Sequence, residues 1–243
     1  MANHTEIVII LDKSGSMQSI RESVVIGINN LIEEVQKEPG EGYWTLVQFD
    51  DPVSARGAGE EFPHVIFENK PDKELPKLEM ADFRPRGNTA LIDALCITLN
   101  KMKKCYFEAP EEKRPRIMVV IVTDGEENRS TQFKTDDFRL LSAEVQTKLG
   151  WQFMYLGANQ DVFRETEKYG IQASMNYAGL ALGSTNALPM NYNAEGVRET
   201  LCSGSIGIRA WKADNNPTAE FLLSSAEFDL VKVNTSGSQI IGG

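Results

Sequence analysis

Histidine is nearly absent from this chain, cysteine is scarce and basic residues are in deficit. Each shortage removes a class of function. Only two histidines occur, His4 and His64. Neither falls near a candidate Ser or Cys nucleophile in the expected topology, so a hydrolase triad has no support, and both are read as surface or packing residues. The three cysteines, Cys96, Cys105 and Cys202, are odd in number and lack CxxC spacing. That fits reduced thiols in a cytosol better than a disulfide framework, with the cysteines read as small buried apolar residues. Lys plus Arg number 25 against 35 Asp plus Glu, and the net charge of -10 opposes binding to a nucleic-acid backbone or an anionic membrane. The longest aliphatic stretches, Ile7 to Leu11 and Ile117 to Val122, fall far short of the roughly 20 residues that span a bilayer. Met1 to Glu6 lead into an apolar run without a basic segment, signal core or cleavage site, so export by that route is not expected and a cytoplasmic location is. No GxxxxGK[ST] segment exists to cradle a nucleotide phosphate.

What is present is ordinary globular composition, 41% hydrophobic and 25% charged over 243 residues, enough for one large α/β domain around a single core. Ile7 to Leu11 is a β-branched run of the kind buried on both faces of a parallel sheet. Ser19 and Glu22 form a capping-box pattern, after which Ile20, Val24, Ile28, Leu31 and Val35 recur at helical spacing. Tyr43 to Phe49 and Val65 to Phe67 read as strands forming a hairpin at the sheet edge. Leu91 to Met102 reads as a helix, Ile117 to Val122 as a second buried strand, Phe138 to Leu149 as a helix and Trp151 to Leu156 as a strand. A short helix over Asp161 to Tyr169, closed by Gly170, is expected to precede a final strand over Ile171 to Tyr177 and a Gly-, Asn- and Ser-rich loop through Asn193. A last helix over Val197 to Trp211 has to tolerate Gly196, Gly204 and Gly207, each costing ~1 kcal/mol. The alternation implies a doubly wound, mostly parallel sheet with one antiparallel edge strand and helices on both faces, binding ligands beyond the carboxyl ends of its strands.

Asp12 and Asp124 each follow one of the two most apolar strands, so both carboxylates should emerge on the same rim. Asp12-Lys13-Ser14-Gly15-Ser16-Met17 supplies a carboxylate and two hydroxyls, with Gly15 permitting a sharp turn. Such hard oxygen donors suit Mg²⁺, with Mn²⁺ or Ca²⁺ as substitutes, and not zinc or copper. Ser and Asp before a helix are also ordinary caps, so this loop alone is only suggestive. Glu126 and Glu127 read as solvated surface acids, and Asp50 and Asp51 as turn formers.

Taken with Gly87-Asn88-Thr89 before a helix and Val122-Thr123-Asp124-Gly125 after a strand, this loop resembles the metal-ion-dependent adhesion site of the von Willebrand factor type A (vWA) domain family. The resemblance covers roughly residues 5 to 212 and is to stand-alone intracellular members of bacterial or phage type with a complete site. It implies a metal set of Asp12, Ser14, Ser16, Thr89 and Asp124. The hydroxyls of Ser14, Ser16 and often Thr89 would touch the cation, and Asp12 and Asp124 would hold it largely through water. It also implies that Asp93 braces the Thr89 loop. The function implied is binding, not catalysis: a partner protein supplies an Asp or Glu to the metal, and an AAA+ ATPase of the MoxR or chelatase type is one candidate. A self-assembling or virion-associated scaffold, with a homo-oligomer as the partner, is the alternative. An aspartate-dependent phosphatase is a minor third, because such enzymes want a second acid two positions after the nucleophile and Ser14 stands there. Residues 1–212 are thus assigned to the domain and 213–243 to an extension. Its alternation over Glu227 to Asn234 suggests an added strand, and its final Gly242-Gly243 is compositionally cheap.

Overall fold

The structure, a computed structural model, describes residues 4–125, 127–158, 162–171, 187–191 and 193–213. At its centre β1 (His4–Asp12) pairs in parallel with β2 (Glu41–Phe49) on one side and β4 (Arg116–Thr123) on the other. The β-branched run of β1 has no solvent exposure, and its side chains alternate between two separate cores. Ile7, Ile9 and Leu11 enter one, and Val8 and Ile10 the other. The sheet continues through β5 (Gln152–Ala158) and β6 (Ala187–Met190), both parallel, while β3 (His64–Pro71) runs antiparallel on β2. The strand order is β3-β2-β1-β4-β5-β6.

Two helices, α1 (Arg21–Val35) and α6 (Ala194–Ala213), cover the first core; α3 (Leu91–Glu108) and α4 (Thr135–Leu149) cover the second. The short α2 (Pro52–Gly57) follows β2 at the rim, and α5 (Val162–Lys168) is closed by Gly170, whose φ is +65°. This is the expected doubly wound sheet with one antiparallel edge and helices on both faces.

Three expectations give way. The Ser19–Glu22 capping box does not form, because residues Gly15–Ile20 make a 3-10 turn that runs straight into α1, and no side chain caps its N-cap Ile20. The segment read as a loop through Asn193 contains β6, an edge strand whose support comes from pairing with β5. The expected hairpin at the sheet edge does form, β3 pairing antiparallel with β2, and its connection holds α2. Of the three free cysteines only Cys96 is buried, while Cys105 on α3 and Cys202 on α6 are exposed. The expected strand over 172–177 and the extension over 214–243 lie outside the described residues.

Helix α6 forms despite its glycines because tertiary burial outweighs propensity. Val197, Leu201, Ile208 and Trp211 are all buried, each worth about 1.5–3 kcal/mol against ~1 kcal/mol per glycine. Its fit against α1 is close, since a Cβ added at Gly27 would lie 2.4 Å from Leu201 Cδ1. Gly27→Val is therefore expected to cost about 1–3 kcal/mol by overpacking, read as a lowered urea midpoint with an unchanged slope. An unaltered midpoint would mean that the two helices do not meet there.

Candidate metal centre

Strands β1 and β4 are neighbours with Leu11 opposite Val122, so Asp12 and Asp124 leave the sheet side by side. The chain then turns to α1 on one face after β1 and to α4 on the other after β4. The crevice at such a switch point is where open α/β sheets bind ligands.

Hydrogen bonds draw the side chains together. Asp12 is fully buried; Oδ1 accepts from the Ser14 amide at 2.7 Å and Oδ2 from Thr123 Oγ1 at 2.6 Å. The Ser14 and Ser16 hydroxyls share a hydrogen bond of 3.0 Å, and Ser16 Oγ donates to Asp124 Oδ1 at 2.7 Å. Thr89 reaches the same place. A Cβ added at Gly125 would sit 3.1 Å from Thr89 Oγ1, 3.8 Å from Ser16 Oγ and 3.9 Å from Asp12 Oδ2. All five residues expected at the site thus gather around one point. Asp12, Ser14, Thr89 and Asp124 are buried and Ser16 is exposed, so the cluster opens to solvent on the serine side.

The donor set is two carboxylates and three hydroxyls, and among the described residues no group of three or more His, Cys, Asp or Glu gathers as a metal cluster. A set of this kind fits a hard cation that accepts neutral oxygens, and not zinc or copper. Burial is the main reason that the Asp12 carboxyl is pushed up to about 7; the hydrogen bonds from Thr123 and Ser14 oppose the shift and the nearby Asp124 adds to it.

The supporting contacts come from residues that look unremarkable in sequence. Asp51 caps α2 through the Val53 and Ser54 amides at 3.1 and 3.0 Å and accepts the Asn88 amide at 2.8 Å. Against the cost of burial, hydrogen bonds from Asn88, Ser54 and Val53 hold its carboxyl down at about 2. Asp51 is thus a turn former, as read, that also grips the Thr89 loop. Asp50 is not a turn former but a buried partner of Arg86, with Nε donating at 2.7 Å. The Asn128 side chain accepts the Thr89 amide at 3.1 Å, and the Asn128 amide returns a bond to the Thr89 carbonyl at 3.1 Å.

Two acidic residues are reassigned. Asp93 does not brace the Thr89 loop directly; its carboxylate accepts the amides of Thr131, Gln132 and Phe133 at 2.7–3.0 Å and fixes the loop after β4. Glu127 is not a solvated acid, since it accepts the Ile92, Arg129 and Ser130 amides at 2.7–2.8 Å. Both carboxylates satisfy backbone donors that would otherwise be stranded beside the start of α3. Glu126 lies outside the described residues.

Residues 6–181 match the von Willebrand factor type A domain. The chain belongs to that family. Solved structures share the vWA fold at low identity. Proximal thread matrix protein 1 from the mussel byssus is 16% identical with a TM-score of 0.54, covering 86% of this chain and 48% of that one. The pilus adhesin SpaC from Lactobacillus rhamnosus GG, in its open conformation, is 15% identical with a TM-score of 0.56, covering 85% and 30%. The chain therefore spans about half the length of the first and under a third of the second. No curated protein sequence matches it. Domains of the vWA family are typically metal-dependent protein-interaction modules and not enzymes. No described helix of this vWA domain is long and apolar enough to cross a membrane.

Proposed function

We propose that Asp12, Ser14, Ser16, Thr89 and Asp124 hold a divalent cation, Mg²⁺ with Mn²⁺ or Ca²⁺ as substitutes, through which this vWA domain binds an Asp or Glu of a partner protein. The observation that carries the proposal is the Ser16 hydroxyl. It lies between Ser14 Oγ and Asp124 Oδ1 at the solvent-exposed edge of a cluster drawn from three separate loops. When bound, such a cation supplies an incompletely filled coordination shell that seeks an anionic oxygen. The chain's own part is to present neutral hydroxyls toward the opening and to keep the carboxylates behind them, Asp12 being pinned by Thr123 and Ser14. A side chain that can fill the remaining position from outside is a carboxylate, which an AAA+ ATPase of the MoxR or chelatase type would have to present in order to dock here.

The test is Mn²⁺ titration of chelator-stripped protein by calorimetry. One ion per chain is expected, and Asp12→Ala should weaken its binding at least as much as loss of a metal-supporting residue does, about 10–100-fold. Circular dichroism checks that the variant folds. Partner capture in Mg²⁺ followed by release with EDTA should track the titration. Equal Mn²⁺ affinity in Asp12→Ala and the parent would remove these residues from the site.

A further inference from the structure

A group of four charged side chains lies beside the donor cluster without belonging to it. Lys13, between the ligand candidates Asp12 and Ser14, turns its side chain inward with 2% exposure, and Nζ donates to Glu60 Oε2 at 2.5 Å. Arg86, close before Thr89, grips both oxygens of the same Glu60, Nη1 to Oε1 at 3.1 Å and Nη2 to Oε2 at 2.7 Å. It also donates from Nε to the buried Asp50 at 2.7 Å. Two cations face two anions, so the group is neutral. It joins the loops that carry the hydroxyls: Ser14 and Ser16 follow Lys13, and Thr89 follows Arg86. The backbone repeats the connection, with the Arg86 amide bonded to the Lys13 carbonyl at 2.8 Å and the Gly15 amide to the Gly87 carbonyl at 3.1 Å.

Glu60 is suited to act as the fixed point. It stands just after α2, its amide bonded to the Ala55 carbonyl at 3.0 Å, and the other end of that helix holds Asn88 through Asp51. A rigid helical turn therefore grips the Thr89 loop at one end and both cationic side chains at the other. Hydrogen bonding from Arg86 is the main reason that the Glu60 carboxyl is held down at about 2, so it remains an anion through the physiological range.

We infer that Glu60 is a positioning residue, which through Lys13 and Arg86 sets the spacing between the Ser14–Ser16 turn and Thr89. The inference rests on the proposed cation site. A residue of this kind touches no metal and acts only by orienting those that do, as outer-shell partners of metal ligands commonly do.

Glu60→Gln should weaken Mn²⁺ binding about 10–100-fold and broaden the Mn²⁺ electron paramagnetic resonance spectrum at saturation, as the coordination geometry becomes less regular. Loss of one negative charge could also weaken binding through space, but that part is screened by salt. The deficit should therefore persist in concentrated salt. Lys13→Met combined with Glu60→Gln leaves no unpaired buried charge and should fold while showing the same deficit. Parental affinity and spectrum in both variants, or a deficit that vanishes in salt, would overturn the positioning role while leaving the cation site intact. A parent that takes up no Mn²⁺ would instead overturn the site, and this inference with it.

Discussion

Asp72→Ala is expected to lower the unfolding free energy by about 3–5 kcal/mol, the cost of leaving a buried charge without its partner. The carboxylate serves several elements at the end of the sheet opposite the loops of the candidate site. Its Oδ2 accepts from Lys212 Nζ, in the last turn of α6, at 2.8 Å, and the Lys212 side chain is only 1% exposed. Its Oδ1 accepts from the indole of the fully buried Trp44 on β2 at 2.5 Å. Its backbone carbonyl accepts the Gln36 amide group at 2.5 Å, just beyond α1. Gly42 makes room for the arrangement, since a Cβ there would lie 2.3 Å from Asp72 Oδ2. Alanine would strand an ammonium and an indole N–H at once. For a chain of this size the loss corresponds to a melting point lower by about 2–4 °C per kcal/mol. Adding Lys212→Met should restore the part of the loss that comes from the unpaired ammonium, leaving about 1–3 kcal/mol for the stranded Trp44 indole N–H. A single variant within about 1 kcal/mol of the parent, the range of an exposed ion pair, would show that Lys212 is not buried against this carboxylate.

Gly87→Val should damage both stability and cation binding. Gly87 has φ of +65°, where a side chain costs about 1–2 kcal/mol. The added Cβ would also fall 2.3 Å from Ser54 Oγ and 2.6 Å from Asp51 Oδ2. Those are the atoms that hold the loop, because Asp51 Oδ2 accepts the Asn88 amide and the Gly87 carbonyl accepts the Gly15 amide. Relieving the collision moves Thr89 away from the serines, so Mn²⁺ affinity should fall by about 10–100-fold. Gly150→Ala separates the two effects. It is also left-handed, with φ of +68°, but has no atom within 4 Å of an added Cβ. It should lose about 1–2 kcal/mol of stability from strain alone and bind Mn²⁺ as the parent does. Parental Mn²⁺ affinity in Gly87→Val would show that the loop contacts do not set the site.

The sheet was legible because its central strands are written as local runs. Ile7 to Leu11 and Ile117 to Val122 have to be buried on both faces, and only a parallel sheet between helices offers that. The five clustered residues were legible through the resemblance to the vWA site, because Asp12-Lys13-Ser14-Gly15-Ser16 is a local string and Thr89 and Asp124 lie in the two other motifs that match that family. Strand β6 was not, since Ala187–Met190 is short, contains a proline and is bounded by Gly, Asn and Ser, so that its state is decided by pairing with β5. The supporting residues were hidden for another reason. Glu60 lies 47 positions from Lys13 and 26 from Arg86, and Asn128 lies 39 from Thr89. No spacing rule links residues so far apart, and each reads alone as a surface polar group. Nothing near Asp72 marks it as the counter-ion of Lys212, 140 positions away.

The adjacency of β1 and β4 has a further effect on when the protein becomes competent. Ser16 and Asp124 meet across 108 positions, and Asp12 and Thr123 across 111. Closing loops of that length is slow, and the contacts they bring arrive late in folding. A nascent chain still lacking β4 holds every hydroxyl of the cluster yet has no pocket in which to assemble them. On the proposed reading of the site, an incomplete chain binds no partner, and ion uptake during refolding should lag behind the appearance of helical signal.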